Sequence, residues 1–83
     1  MNKQPVVFEV IATFWNSGQE IFTVNVAPEA SQPDVLLTAM LFLSAQERHD
    51  LAKLSFCQMG GEKLSWLDKA PDDHKYYFAE CEE

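Results

Sequence analysis

The chain has 83 residues, a hydrophobic fraction of 47% and a formal net charge of −7. This length supports one compact domain, residues 1–83, and the apolar content excludes intrinsic disorder. The acidic surplus disfavours direct binding to nucleic acids and anionic membranes, because both are negatively charged.

The beginning of the chain does not resemble a secretory signal. Met1 to Pro5 are mostly polar, and Glu9 interrupts the apolar run that follows. No segment approaches the roughly eighteen apolar residues of a membrane span. The expected location is therefore the cytoplasm, where Cys57 and Cys81 are expected to be reduced core residues rather than a disulfide.

Residues 6–26 predict a β-hairpin, because apolar residues alternate with polar ones in both halves. A three-residue loop of Asn16, Ser17 and Gly18 keeps the apolar residues of both strands on one face. That loop needs a left-handed third residue, a conformation that glycine adopts without steric cost. The resulting register pairs Ala12 with Phe22, Val10 with Val24, and Phe8 with Val26.

A helix is predicted to begin at Ser31, because its hydroxyl and the carboxylate of Asp34 can cap free backbone amides. Pro33 suits the first turn. Positions 35–43 are apolar apart from Thr38, so the apolar surface surrounds the helix. One sheet face covers only one side of such a helix.

The segment after this helix has two interpretations. Ser44 and Glu47 form a second capping-box pattern. The helix therefore either continues to about Leu54 or breaks at Ser44 and restarts. Gly60-Gly61 ends the helical region.

Residues 62–83 predict a second hairpin. Leu64 and Trp66 alternate with polar neighbours, and residues 74–81 are rich in aromatic residues that favour strands. A short helix over Leu64–Lys69 is the alternative. The predicted fold class is α+β in the order ββαββ: an antiparallel four-stranded sheet of two hairpins, with one long or broken helix on a face.

The sequence contains no motif that requires catalysis, a metal or a cofactor. His49 and Cys57 lie eight residues apart, which places them about 12 Å apart on a continuous helix. The carboxylates of the tail lack the spacing of zinc or calcium sites, and Gly60-Gly61 lacks the lysine of a phosphate loop. We therefore expect a non-enzymatic protein without cofactor or metal. The remaining alternative is a small enzyme or metal protein that uses His49, His74 and the tail carboxylates.

Seven of the 13 acidic residues fall within the last 22 positions, among several aromatic residues. Carboxylates around aromatic rings suit the binding of a basic protein, because charges steer the encounter and rings supply contact energy. The sequence thus predicts an acidic protein-binding module that inhibits or neutralises a basic partner, including one that binds nucleic acid, such as a phage- or plasmid-encoded antagonist. A solvated acidic surface beside core aromatics is the other interpretation. The predicted partner-binding residues are Trp66, Asp68, Asp72, Asp73, Tyr76, Tyr77, Glu80, Glu82 and Glu83.

The apolar helix supports an alternative function. A structural or regulatory homodimer would bury the side of helix 35–43 that the sheet leaves uncovered, and symmetric dimers are the commonest oligomers. The candidate interface residues are Leu36, Met40 and Leu43. Burial of the whole helix within a monomer is the other possibility.

Overall fold

The structure, a computed structural model, describes residues 4–69, 71 and 73–81. The predicted site residues Asp72, Glu82 and Glu83 lie outside the described residues. Four strands and two helices follow in the order ββααββ. They are β1 (Val6–Phe14), β2 (Gly18–Val26), α1 (Gln32–Met40), α2 (Ala45–His49), β3 (Leu51–Gly60) and β4 (Tyr76–Glu80).

The strands form one mixed sheet in the order β2-β1-β3-β4. Strands β2 and β3 pair antiparallel with β1, whereas β4 pairs parallel with β3. The predicted α+β class and four-stranded sheet are confirmed. The prediction of two hairpins in a fully antiparallel sheet is corrected, because only the N-terminal pair is a hairpin and β4 pairs parallel with β3.

The hydrophobic core lies on one face of the sheet. Burial in β1 alternates residue by residue, so its even-numbered side chains point into the core. Helix α1 and the segment around Leu64 and Leu67 cover this face. The buried apolar residues are Val6, Phe8, Val10, Ala12, Phe14, Val24, Val26, Val35, Ala39, Leu43, Leu51, Leu54, Phe56, Leu64 and Leu67.

In the N-terminal hairpin the apolar residues face the predicted side of the sheet, but the register of the two strands differs from the prediction by two residues. Phe14 pairs with Gly18, which places Trp15, Asn16 and Ser17 in the three-residue loop. Gly18 has the predicted left-handed conformation, with φ of +84°. The predicted register was wrong because this glycine occupies the first pair of the ladder rather than the last loop position.

Both predicted capping boxes are present. The Ser31 amide donates to Asp34 Oδ2 at 3.0 Å, and the Ser44 amide donates to Glu47 Oε1 at 2.8 Å. These hydrogen bonds stabilise the carboxylate forms and lower the pKa of both Asp34 and Glu47. The structure therefore agrees with the second predicted alternative, in which the helix breaks and restarts at Ser44: α1 ends at Met40 and α2 begins at Ala45.

The prediction of a helical region that ends at Gly60-Gly61 is corrected from residue 51 onward, because Leu51–Gly60 form β3. Thr13 pairs with Lys53 but Phe14 pairs with Leu51, which leaves Ala52 as an extra residue in a β-bulge. Leu51 and Leu54 are both buried, three positions apart, because of that bulge. The spacing resembles a helical period although the backbone is extended.

The predicted strand around Leu64 and Trp66 is also corrected. The Leu67 amide donates to the Leu64 carbonyl at 3.1 Å, and the Lys69 amide donates to the Trp66 carbonyl at 2.9 Å. These short-range bonds form consecutive turns, which are closer to the alternative of a short helix. The chain then returns to pair β4 alongside β3 in parallel.

The cysteines are joined in a disulfide, which corrects the prediction of reduced thiols. Cys57 lies opposite Ala79 in the parallel ladder, and the Cys81 amide donates to the Gln58 carbonyl at 3.1 Å. This pairing places the two Cα atoms 5.0 Å apart. Closing a loop of 24 residues contributes roughly 3 kcal/mol in the chain-entropy description. The expected compartment predicts reduced thiols, and only the parallel pairing of β3 with β4, which the sequence does not indicate, brings the two cysteines together.

Among the described residues, no helix combines the length and apolar character needed to cross a membrane. The cytoplasmic location stays a prediction.

Asp50 connects the end of α2 to the β1–β2 loop. Its carboxylate accepts hydrogen bonds from the Asn16 amide at 3.2 Å, Asn16 Nδ2 at 2.8 Å and Ser17 Oγ at 3.0 Å. We expect Asp50→Ala to lower the free energy of unfolding by about 1–2 kcal/mol, because three partly solvated hydrogen bonds are lost together. Urea denaturation measures the change.

Asp73→Ala is a suitable control for this prediction, because the Asp73 carboxylate accepts only a local hydrogen bond from the Lys75 amide among the described residues. It should change the unfolding free energy by less than about 0.5 kcal/mol. Equal urea midpoints for Asp50→Ala and the wild type would show that the loop does not need this carboxylate.

Candidate functional site

Acidic side chains gather at one corner of the molecule, around Lys63. Its Nζ lies 2.8 Å from Asp68 Oδ2 and 2.9 Å from Glu80 Oε1. The hydrogen bonds to Asp68 and then Glu80 raise the pKa of Lys63, because both carboxylates favour the charged ammonium. Glu29 and Glu62 line the adjoining groove. We call Glu29, Glu62, Lys63, Asp68 and Glu80 the acidic corner; it carries four carboxylates and one ammonium.

A buried glutamine folds the chain into this corner. Gln58 Nε2 donates to the Glu62 carbonyl at 2.9 Å, and its Oε1 accepts from the Leu64 amide at 3.5 Å. Gly61 makes the turn between them with φ of +86°. The side chain thereby satisfies backbone groups that would otherwise lack partners and fixes the turn that presents Glu62 and Lys63.

The corner contains an open groove of about 260 Å³. Pro28, Glu29 and Ala30 line one side, and residues 62–66 line the other. The Trp66 Nε1 donates to the Ala30 carbonyl at 2.8 Å and ties the two sides together. Glu29 and Glu62 form no ion pair with any residue that the structure describes. Their charges are therefore exposed on opposite sides of the groove.

Trp66, a predicted partner-binding residue, is half-buried. Its ring stacks on Phe8 with centroids 6.4 Å apart and meets Phe78 edge to face at 5.3 Å. The side chain therefore belongs largely to the core, and only part of it is available at the groove.

The two predicted tyrosines lie on opposite faces of β4. Tyr76 is half-buried against the core, and this burial raises the pKa of its phenol, with Asp73 as a further cause. Tyr77 is 52% exposed on the other face, where Lys53 Nζ lies 4.6 Å from its ring centroid. Asp73 is exposed in the preceding turn. The structure thus separates Tyr77 from the acidic corner.

The predicted dimer residues point largely inward. Leu43 is buried, and Leu36 and Met40 are half-buried against the core. The exposed apolar side chains of this region are instead Leu37, Leu41 and Phe42. The reason is the helix phase: Val35 and Ala39 face the sheet, and Leu37, two positions from each of them, lies on the opposite side of the helix.

The residues considered for catalysis and metal binding do not form a centre in the described part of the chain. Cys57 is in the disulfide, His49 lies at the end of α2, and His74 is exposed in the turn before β4. No group of three or more histidine, cysteine, aspartate or glutamate side chains within those residues is arranged to hold a metal ion.

The chain matches no protein-family model, no curated protein and no solved structure.

Three residues of the acidic corner, Glu29, Glu62 and Lys63, are absent from the predicted partner-binding residues, and Glu29 is the most distant of them in sequence. It lies 33 positions before Glu62, and the two line the same groove because the Trp66 Nε1 hydrogen bond to the Ala30 carbonyl holds the residues after β2 against the segment after β3. No local pattern signals that contact. The proline at position 28 and the capping box that follows mark a turn but not its neighbour.

Proposed function

We propose that this protein is a non-enzymatic binding module whose acidic corner engages a positively charged protein surface. Such a module acts as an inhibitor or neutralising partner by occupying a basic surface that another ligand would use. A partner that binds nucleic acid suits this role, because its basic groove is complementary to an acidic competitor.

The observation that carries the proposal is the pair of unmatched carboxylates across the groove. Glu29 and Glu62 flank an opening of about 260 Å³, and neither forms an ion pair with a described residue. A lysine or arginine side chain from a partner would place its apolar stem in the groove and its charged end between the two carboxylates.

Lys63 organises the rest of the corner. Because it already binds Asp68 and Glu80, it offsets only part of their charge and holds both carboxylates in place. Carboxylates that are fixed before binding lose less side-chain entropy on association than free ones. The exposed edge of Trp66 adds an apolar surface beside the charges.

The net charge of −7 creates a negative electrostatic potential that reaches beyond the acidic corner. A negative field speeds encounter with a basic partner, and the effect falls with ionic strength because salt screens it beyond about 8 Å at physiological salt.

The test begins with capture of proteins from the native host lysate at low salt and their elution with a salt gradient. A purified binder is then titrated against the wild type and against Glu29→Gln/Glu62→Gln between about 50 mM and about 500 mM NaCl. We expect at least a tenfold weaker affinity for the double variant at low salt, and a wild-type affinity that falls as salt rises.

Glu9→Gln/Glu20→Gln is the matched control, because it removes the same charge away from the groove. Glu9 lies on the opposite sheet face, and Glu20 lies near the loop end of β2. The control should bind almost as tightly as the wild type. An affinity that does not change with salt, or equal losses in both double variants, would contradict a specific role for the corner.

A further inference from the structure

Strand β2 is a long unprotected edge of the sheet. It pairs with β1 over nine consecutive residues without a bulge, and its other side has no strand partner among the described residues. Natural edge strands are usually protected by lysine, proline, a bulge or short length. The β2 sequence from Gly18 to Val26 contains no lysine or proline, and Glu20 is its one charged residue.

The opposite edge differs in each of these respects. Strand β4 has five residues, its last residue Glu80 pairs with Lys63, and Cys81 beside it is bonded to Cys57. A further strand could therefore add more favourably along β2 than along β4.

An apolar surface continues from the β2 edge onto α1. Phe22, the central residue of β2, stacks on Phe42 with centroids 5.1 Å apart and planes at 16°. Phe42 is 56% exposed, so the ring pair is accessible beside the β2 edge. Ile21, which is 61% exposed, lies on the other face of β2, because it pairs with Ile11 rather than with an inward-facing residue of β1. We call the Phe22–Phe42 pair the β2–α1 surface.

We propose that this surface binds a second copy of the chain, with the two β2 strands antiparallel about a twofold axis near Phe22. The pairing would join two four-stranded sheets into one of eight strands. The Phe22 and Phe42 rings of both copies would lie near the axis on the same face of the joined sheet, as an isologous interface requires.

Several features favour a second copy over an unrelated ligand. An antiparallel edge is self-complementary about a twofold axis at its central residue, because each backbone donor meets the equivalent acceptor of the other copy. In this register Glu20 of one copy lies opposite Val24 of the other, so the two carboxylates do not face each other. A ladder along both nine-residue edges would be as long as the one that joins β1 and β2, and the aromatic rings beside it add apolar contact area.

The test measures mass by light scattering and sedimentation from about 1 µM to about 1 mM. The wild type should reach twice the chain mass of 9.5 kDa. Ile21→Lys should weaken dimerisation at least tenfold, because a lysine on an edge strand disfavours the addition of a further strand. Phe42→Lys should have a similar effect, because it places a charge beside the axis. Amide hydrogen exchange should slow in residues 18–26 as the concentration rises.

Met59→Lys is the matched control, since Met59 is 54% exposed on β3 and lies outside the β2–α1 surface. It should dimerise as the wild type does. A monomer over the whole concentration range would overturn the proposal. So would a dimer that neither lysine variant weakens, or one in which the slowed amides lie in β4 rather than β2. These outcomes do not depend on the acidic corner, whose partner binding is measured separately on the Ile21→Lys variant.

Discussion

Gly61→Ala is expected to destabilise the protein by roughly 3 kcal/mol or more, which lowers the Tm of a domain of this size by about 10–20 °C. Gly61 has φ of +86°, where an L-residue is strained. A Cβ there would also lie 2.8 Å from the Pro5 carbonyl oxygen and 2.9 Å from the Val6 Cα. Both are backbone atoms, so relief requires the start of β1 to move. Thermal unfolding followed by circular dichroism measures the effect.

Gly18 and Gly60 distinguish the two causes of this destabilisation, the strained φ and the steric clash with β1. Gly18 also has positive φ, but a Cβ there would meet no atom within 4 Å, so Gly18→Ala should cost only about 1–2 kcal/mol. A Cβ at Gly60 would lie 3.8 Å from Val7 Cγ2, an ordinary contact, so Gly60→Ala should change stability by less than about 1 kcal/mol. If Gly61→Ala and Gly18→Ala cost the same, the close approach to β1 is not important.

Trp66→Ala is expected to lower the free energy of unfolding by about 3–5 kcal/mol, because it leaves a cavity beside the Phe8 and Phe78 rings. It also removes the hydrogen bond from Nε1 to the Ala30 carbonyl, which is 2.8 Å long. Urea denaturation measures the loss. The folded fraction of the variant should also bind the partner more weakly, because the groove loses the edge of the ring and the hydrogen bond that ties its two sides together.

Trp66→Phe distinguishes packing from hydrogen bonding. It keeps an aromatic ring against Phe8 but leaves the Ala30 carbonyl without its donor, so we expect about 1–2 kcal/mol of destabilisation. The acidic corner should then be less well ordered while the core persists. A Trp66→Ala protein that is as stable as the wild type would place the ring outside the core and restore it as a contact residue for the partner.

The N-terminal half could be predicted from sequence because its signals are local. Alternating apolar residues gave β1 and β2 their faces, and the serine–acid pairs at Ser31 and Ser44 marked the start of both helices. The register was predicted two residues off, because parity fixes the face of a strand but not its position along the partner. The position of β2 along β1 depends on the pairing of Gly18 with Phe14. It also depends on the hydrogen bond from Asn16 in the loop to Asp50, 34 residues later in the chain.

The C-terminal half was harder to predict, because its strand order depends on contacts between residues that are distant in sequence. The bulge at Ala52 hides the alternation of β3, and the short apolar spacing that results is also typical of a helix. Parallel pairing of β3 with β4 requires the intervening segment to return across the core, where Leu64, Trp66 and Leu67 pack. No local residue pattern distinguishes that path from a hairpin.

The candidate site was only partly accessible to sequence reasoning. Asp68 and Glu80 were identified from composition, and both lie at the acidic corner around Lys63. Tyr76 and Tyr77 lie on opposite faces of the sheet because side chains alternate along β4. Their separation can be predicted only once this segment is known to be a strand. Glu29 required the tertiary contact between Trp66 and Ala30.

The central position of β1 has a consequence for synthesis of the chain. Strand β2 follows it after a short loop and covers one side at once, whereas β3 ends only at Gly60. Until the ribosome has released residues up to that point, the second side of β1 offers nine unpaired residues to any extended segment nearby. The nascent protein is therefore most prone to mispairing before β3 emerges, and β1 is the strand that a holding chaperone would protect.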